Sequence, residues 1–442
     1  MSERLKSIGL DVGTTSTQLV LSELVIENRA SNFAVPEMEI SSREVLYKSP
    51  VYLTPQTSGE LVDGDALRKI VEHEYQCAGI RREDVDTGAV IITGETSRKE
   101  NARRVLDALS EFAGDFVVAT AGPDLESVLA AKGSGAAALS ERSEKAVLHM
   151  DIGGGTTNLA LIRSGRIERT GCLNVGGRLI RFDSRGILTY VSPVLAGCFD
   201  KQVGDPVREA DLTPLAQYLA RALESAAGRS ASPIPAFLFT EEAERHWTPP
   251  EESVILSFSG GVADCMESHL DWQEFQDLGV LLGRAIRESR LWEEDYVLGT
   301  ETIRATVIGA GCHSTQLSGS TVYCQNVALP LKNLPVAAVT DPAFLPDTQE
   351  PTILAWPGLS APGYAQVKAL AKTIAAQNRQ PLLLCLEADM AKALGQALAL
   401  ALPKDAAVLC IDRVRLPEGC YLDIGRPTAE AYPVVVKTLV LR

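Results

Sequence analysis

Two short segments combine an acid, glycines and threonines in a spacing that suits phosphate chemistry. Ile8-Gly9-Leu10-Asp11-Val12-Gly13-Thr14-Thr15-Ser16-Thr17-Gln18-Leu19-Val20-Leu21 can be laid over Leu148-His149-Met150-Asp151-Ile152-Gly153-Gly154-Gly155-Thr156-Thr157-Asn158-Leu159-Ala160-Leu161, with Gln18 facing Asn158. Each copy reads strand, acid, Gly/Thr turn, returning strand. Glycines at the tip let the backbone adopt positive φ and approach a ligand without a Cβ in the way. Successive N–H groups in such a turn form an anion-binding nest, and threonine hydroxyls add donors. Gly13, Thr14 and Thr15 in the first copy, and Gly153, Gly154, Gly155, Thr156 and Thr157 in the second, are therefore candidate phosphate-holding residues. Asp11 and Asp151 end their strands too close to a phosphate to bond it directly. They suit a hydrated Mg²⁺, which takes one or two carboxylates alongside water and phosphate oxygens. A plain β-hairpin accounts for either copy alone, and the recurrence of both favours the phosphate reading.

Other candidates carry less information. Ser259-Gly260-Gly261-Val262 ends a strand at a turn that would let a flat base approach the backbone, or is simply a turn. Glu95 lies at the strand-terminal edge where α/β sheets bind ligands, and equally at the start of a helix, where acids are favoured. Asp124 and Glu126 follow a strand in the same way. His149 and His313 stand alone among apolar and small residues and read as packing.

These residues must be positioned by a chain of 442 residues, long enough for roughly three domains of ~150 residues. The composition is globular, 45% hydrophobic and 22% charged, and no apolar run reaches the ~18 residues of a membrane span. MSERLKSIGLDVG enters a strand directly and lacks a signal-peptide core, so a cytoplasmic protein is expected. A net charge of −15 excludes a polyanionic partner such as nucleic acid, because phosphate backbones are held by dense Lys/Arg surfaces. Phosphate must then be held by backbone N–H groups or by a metal. The nine cysteines form no C-x-x-C pair and read as reduced thiols.

Strands alternate with amphipathic helices. The patterns place helices over 67–77, 100–112, 125–132, 214–226, 275–289, 364–377 and 390–401, with strands such as 88–93, 254–258, 382–386 and 407–411 between them. A polar patch at 140–145 and a run of seven prolines between Pro330 and Pro362 mark boundaries. The expected division is 1–140, 141–335 and 336–442. The last unit reads as an α/β layer on which a partner docks, or as a lid that stabilises the second unit.

Asp11-Val12-Gly13-Thr14-Thr15 and Asp151-Ile152-Gly153-Gly154-Gly155-Thr156 resemble the two phosphate motifs of the superfamily of actin, DnaK-type chaperones and sugar kinases. Ser259–Val262 resembles its adenosine motif, and Gly133–Leu139 and Val307–Gly311 fall where its two helix-connecting segments occur. The resemblance implies an actin-like ATPase fold: two duplicated ribonuclease-H-like domains enclosing a nucleotide, here with an added C-terminal α/β domain. Over essentially the whole chain, the stretches ITGETSRKENARRVLDAL, AGPDLESVLAAKGSGAA, ETIRATVIGAGCHSTQLSGSTV and YLDIGRP look like the ethanolamine ammonia-lyase reactivating factor family.

That resemblance implies ATP and Mg²⁺ as cofactors and ethanolamine ammonia-lyase as partner. The implied function is chaperone-like release of damaged cobalamin from that B12-dependent enzyme, by a slow ATPase rather than a metabolic enzyme. Homo-oligomers and association with a bacterial microcompartment are compatible with it. By carry-over Asp11 and Asp151 position the metal, and Ser259, Gly260, Gly261 and Val262 adjoin the adenosine. DnaK-type chaperones have a second Asp where this chain has Asn158, and their Glu in the first connecting region has no clear counterpart. The water-activating residue is accordingly open among Glu95, Asp124 and Glu126. A small-molecule kinase of the same superfold and a nucleotide-dependent actin-like scaffold are the alternatives.

Overall fold

The computed structural model describes residues 3–13, 16–28, 38–57, 61–92, 109, 117–120, 123–240, 247–292, 295–313, 315–317, 322–348, 350–414, 416, 421–425 and 432–437. Thr14, Thr15, Glu95 and the helix expected over 100–112 (Leu109 excepted) lie outside these residues, as does the His313 side chain.

The first sheet is built from β1 (Glu3–Val12), β2 (Ser16–Asn28), β3 (Met38–Lys48), β4 (Tyr52–Leu53), β5 (Thr87–Ile92) and β6 (Val117–Thr120), in the order β3-β2-β1-β5-β6 with β4 on β2. Helix α1 (Gly64–Cys77) starts at Asp63, whose carboxylate accepts the Ala66 N–H at 3.0 Å, the usual satisfaction of an orphan helix donor. Its Leu67, Val71 and Tyr75 recur at four-residue spacing and bury against Ile8, Leu10 and Val12 of β1. Strand alternation sends Ser7, Gly9 and Asp11 to the opposite face.

Helices α2 (Pro123–Gly133) and α3 (Ala136–Glu141) lead into the second sheet. Its strands are β7 (Val147–Ile152), β8 (Thr157–Arg163), β9 (Arg166–Leu173), β12 (Ile255–Ser259) and β13 (Tyr296–Leu298). The small hairpin of β10 (Ile180–Phe182) and β11 (Leu188–Val191) and helix α4 (Glu209–Ala226) come between β9 and β12, and α5 (Gly279–Arg287) precedes β13. The order β9-β8-β7-β12-β13 repeats that of the first sheet, and so do the strand senses: three antiparallel strands, then two parallel to the first. The repeat read in the sequence is thus a repeat of topology. All six residues of β7 are buried, as befits a central strand covered on both faces. Helix α5 begins later than the pattern predicts, because the Asp277 carboxylate takes the Gly279 N–H at 2.8 Å and holds the preceding residues in a turn.

The helices joining the two halves are exchanged. Helix α6 (Ala305–His313) follows the second sheet but lies on the Ser7–Gly9–Asp11 face of the first, where Ser7 Oγ donates to the Gly311 carbonyl. Helix α2 follows the first sheet but packs on β8 and β9 of the second. The two cross at glycines: a Cβ on Gly133 would sit 2.6 Å from the Gly309 nitrogen; α6 approaches β1 as closely, since a Cβ on Gly9 would lie 2.9 Å from the Gly311 nitrogen. Ala305, Val307, Ile308 and Ala310 of α6 are buried. The expected division at 140 therefore leaves α2 and α3 with the wrong sheet: by packing they belong to the second.

The remaining strands form one eight-stranded sheet. They are β14 (Thr315–Leu317), β15 (Tyr323–Gln325), β16 (Leu331–Ala338), β17 (Ile353–Trp356), β18 (Leu382–Leu386), β19 (Val408–Asp412), β20 (Tyr421–Ile424) and β21 (Pro433–Lys437), in the order β14-β21-β20-β16-β17-β18-β19-β15. Helices α7 (Tyr364–Ala375) and α8 (Ala391–Ala401) cover one face with Leu370, Ile374, Leu394 and Leu398. The expected boundary at 335 falls inside β16. Pro335 stands opposite Tyr421 of β20, just after a register shift between Leu331 and Leu334. The alternating α/β layer is as read; its start is twenty residues earlier than the prolines imply.

Candidate functional site

The two hairpins are closed alike. Gly13 N–H donates to the Ser16 carbonyl at 2.9 Å, and Gly153 N–H donates to the Thr156 carbonyl at 2.9 Å. Across each hairpin the strand-ending acid faces an amide: Asp11 pairs with Gln18 and Asp151 with Asn158. Each amide then reaches a segment that crosses from the other half. Gln18 Nε2 donates to the Ile303 carbonyl at 2.9 Å, just ahead of α6, and Asn158 Nδ2 donates to Glu126 Oε2 at 2.8 Å, on α2.

Several expected roles change at this level. None of Gly153, Gly154 or Gly155 has positive φ, so the second turn does not need glycine for a left-handed conformation. Gly260 does: its φ is +86°, and a Cβ there would lie 2.7 Å from the Ile152 nitrogen. Gly260 is thus required for packing the β12 turn onto the end of β7. Thr157 is fully buried and its hydroxyl donates to the Val175 carbonyl at 2.7 Å, so it offers no donor to a phosphate. Val262 is a core residue of the second half. Thr156 and Gly153–Gly155 remain at least partly exposed.

The second turn has a support that the sequence reading missed. Gly177 N–H donates to the Gly153 carbonyl at 3.0 Å and Arg178 N–H to the Gly154 carbonyl at 2.6 Å. A Cβ on Gly176 would meet the Gly154 carbonyl carbon at 2.6 Å. With these carbonyls occupied, fewer acceptor lone pairs oppose an anion at the turn. The arginine stem lies along Gly154, and its Nε reaches Asp277 at 3.4 Å. The signal was present as a second Gly-Gly after a strand, Val175-Gly176-Gly177.

A second missed element is Thr302–Thr306. The Thr302 carbonyl accepts the Gly260 N–H at 3.1 Å, Ile303 accepts from Gln18, and Thr306 Oγ1 donates to Asp151 Oδ2 at 3.4 Å. Five residues therefore tie together both hairpins and the β12 turn. Arg304 adds a hydrogen bond to the Ser49 carbonyl at 2.9 Å on the first half.

Of the acids left open, Glu126 is buried beside Asn158, at the second hairpin. Asp124 is exposed and accepts from Thr170 on β9. Asp11 and Asp151 are each 8% exposed. Burial pushes the Asp151 carboxyl up, while hydrogen bonds from Ser259 and Thr306 pull it down. His149 is buried, as its sequence surroundings suggest, but its ring is surrounded by hydroxyl groups. It is completely buried between Ser257, Ser259 and Ser134, and burial lowers its pKa to about 3, so the imidazole is neutral.

The donor set fits a hard, hydrated cation. It holds two buried carboxylates at strand ends and two buried amide oxygens, Gln18 Oε1 and Asn158 Oδ1, that have no hydrogen-bond partner. Such oxygens are costly to bury unsatisfied, and the water shell of Mg²⁺ supplies donors of the right kind. Soft-metal ligands are absent from this group. Cys77, Cys172, Cys198, Cys265, Cys324, Cys385 and Cys410 are free thiols.

The chain matches the family model described as ethanolamine utilisation protein EutA over residues 3–347 and 341–442. It is 38% identical to the ethanolamine ammonia-lyase reactivase EutA of Salmonella typhimurium strain LT2 over 466 residues, covering 99% of each chain. It is 39% identical to the Escherichia coli K12 protein of the same description over 469 residues, again covering 99% of each. Among solved structures, the ethanolamine utilization protein EutJ of Carboxydothermus hydrogenoformans is similar at a TM-score of 0.36 and 17% identity, over 69% of this chain and 89% of that one. With a matching family model and full-length relatives well above 30% identity, this chain belongs to the ethanolamine utilisation protein EutA family.

Proposed function

We propose that the chain is a reactivating factor for adenosylcobalamin-dependent ethanolamine ammonia-lyase, driven by Mg-ATP binding and slow hydrolysis to release damaged cobalamin. The observation that carries the nucleotide part is the twin acid–amide register, Asp11 with Gln18 and Asp151 with Asn158, with an unpartnered amide oxygen in each. The lyase as partner is supported by the relatives' description as ethanolamine ammonia-lyase reactivases.

In this reading Asp11, Asp151, Gln18 Oε1 and Asn158 Oδ1 hold Mg²⁺ through its water. The ion neutralises and orients the polyphosphate when bound. The N–H groups of Gly154 and Gly155, with Thr14, Thr15 and Thr156, hold phosphate oxygens, while the Gly13 and Gly153 N–H groups close the two turns. Ser259, Gly260 and Gly261 adjoin the adenosine. Glu126, placed by Asn158, is the candidate that orients the attacking water. Because the Thr302–Thr306 segment contacts both hairpins and leads into α6, nucleotide binding would pull on the exchanged helices and pass the change to the lyase. Among the described residues no helix is long and apolar enough to cross a membrane. A cytoplasmic location, with access to a bacterial microcompartment, suits the proposed partner.

The test is reactivation of cyanocobalamin-blocked ethanolamine ammonia-lyase by the purified protein, with and without Mg-ATP. Recovery of lyase activity only with nucleotide is expected. No recovery under any nucleotide condition refutes the function.

A further inference from the structure

We propose that His149 is a positioning residue for Asp151: it holds the Ser259 hydroxyl onto the carboxylate and so presets this acid for a hydrated divalent cation. The inference rests on the proposed nucleotide reading of the paired hairpins.

Hydrogen-bond direction can be assigned by elimination. Asp151 Oδ1 and Ser259 Oγ are in hydrogen-bond contact, and an ionised carboxylate has no hydrogen, so Ser259 donates. The Ser259 oxygen is then an acceptor toward His149 Nε2, 3.0 Å away, and Nε2 must carry the imidazole hydrogen. Nδ1 lies 3.1 Å from the Ser257 hydroxyl, so β12 contacts the imidazole at both nitrogens. The contacts run without a break from Ser257 through His149 and Ser259 to the Asp151 carboxylate. Hydrogen bonds in such a series polarise one another. Ser134 Oγ, 3.3 Å from Nε2, connects the same imidazole to the end of α2.

The equivalent position in the first half is Gly9, where the backbone of α6 takes the space a side chain would fill. The repeat therefore does not itself dictate an imidazole at this point. Burying a polar ring among three hydroxyls costs desolvation, and what the imidazole adds is direction. Groups that orient a metal ligand through one intervening contact typically change metal affinity by about 10–100-fold when removed.

The experiment is a titration of Mg²⁺ into protein with ADP, read by calorimetry, and of Mn²⁺ read by electron paramagnetic resonance. The variants are His149→Leu, His149→Gln and Ser259→Ala. His149→Leu and Ser259→Ala are expected to raise the cation concentration for half-saturation about tenfold or more, with nucleotide affinity in EDTA unchanged in His149→Leu. His149→Gln retains an N–H for Ser259 and should stay within about threefold of wild type. If His149→Leu does not fold, Ser259→Ala carries the test. Wild-type cation dependence in Ser259→Ala or in a folded His149→Leu overturns the inference, as does equal loss in His149→Gln and His149→Leu. Absence of any cation-dependent nucleotide binding in the wild type would instead defeat the underlying nucleotide reading, and the inference with it.

Discussion

Replacing Gly309 by alanine sets two effects of opposite sign against each other. Gly309 lies mid-helix in α6 with ordinary helical φ, where alanine is worth about 0.5–1 kcal/mol over glycine by propensity. The crossing with α2 opposes this. An added Cβ would sit 2.6 Å from the Leu129 carbonyl carbon and 2.9 Å from its Cα, where ordinary contact begins at 3.4 Å. Both neighbours are backbone, so no rotamer change relieves the overlap and the helices must move apart. Overpacking of this kind costs about 1–3 kcal/mol, and rigid backbone neighbours favour the upper end. The expected net destabilisation is about 1–2 kcal/mol, or a fall in Tm of about 2–8 °C. Scanning calorimetry and urea unfolding measure it, with Gly197→Ala as control because a Cβ there meets nothing within 4 Å. A Tm equal to or above wild type would refute the close helix exchange, since propensity alone predicts that sign.

Other outcomes follow from the same geometry. Asp11→Asn and Asp151→Asn should each weaken Mg-ATP binding about tenfold or more while circular dichroism stays unchanged; unaltered affinity in both by calorimetry would remove the metal role. His149 has a folded pKa of about 3 against an ordinary value of 6.5, so below pH 6.5 the unfolded chain binds a proton that the folded chain refuses. Stability is then lost as pH falls from 6.5 toward 3, by about 2 kcal/mol at pH 5. Asp151, with its carboxyl pushed up, contributes with the opposite sign, but it is retained in His149→Gln, so that variant should show the shallower acid slope in urea unfolding. Identical slopes would contradict a buried neutral imidazole. Removing residues after His313, which spares α6, should leave Mg-ATP binding intact and abolish co-purification with the lyase; reactivation by the shortened chain would move the docking surface to the first two sheets.

The paired hairpins were legible in the sequence because their chemistry is local. An acid at a strand end, a glycine turn and a returning apolar run specify one another within fourteen residues, and the recurrence over 148–161 marks the duplication that the two strand orders repeat. Most helices and strands were legible for the same reason, as periodicity and caps act over a few residues. What depended on distant partners was not. The sequence holds nothing to say that Thr157 spends its hydroxyl on Val175, or that positive φ falls at Gly260 rather than at Gly153–Gly155. Nor does it say that Asn158 lies against Glu126 and Thr170 against Asp124. The polar surroundings of His149 were not legible because its three serine neighbours come from two other segments, the end of α2 and β12. The prolines near 330–335 mimicked a linker, since the shifted register in which this strand pairs is a property of β20 as much as of β16. Local covalent pattern determined that two acid-bearing Gly/Thr turns exist; only the exchange of α2 and α6 between the sheets decided which side chains meet at them, because those contacts join residues far apart in the chain.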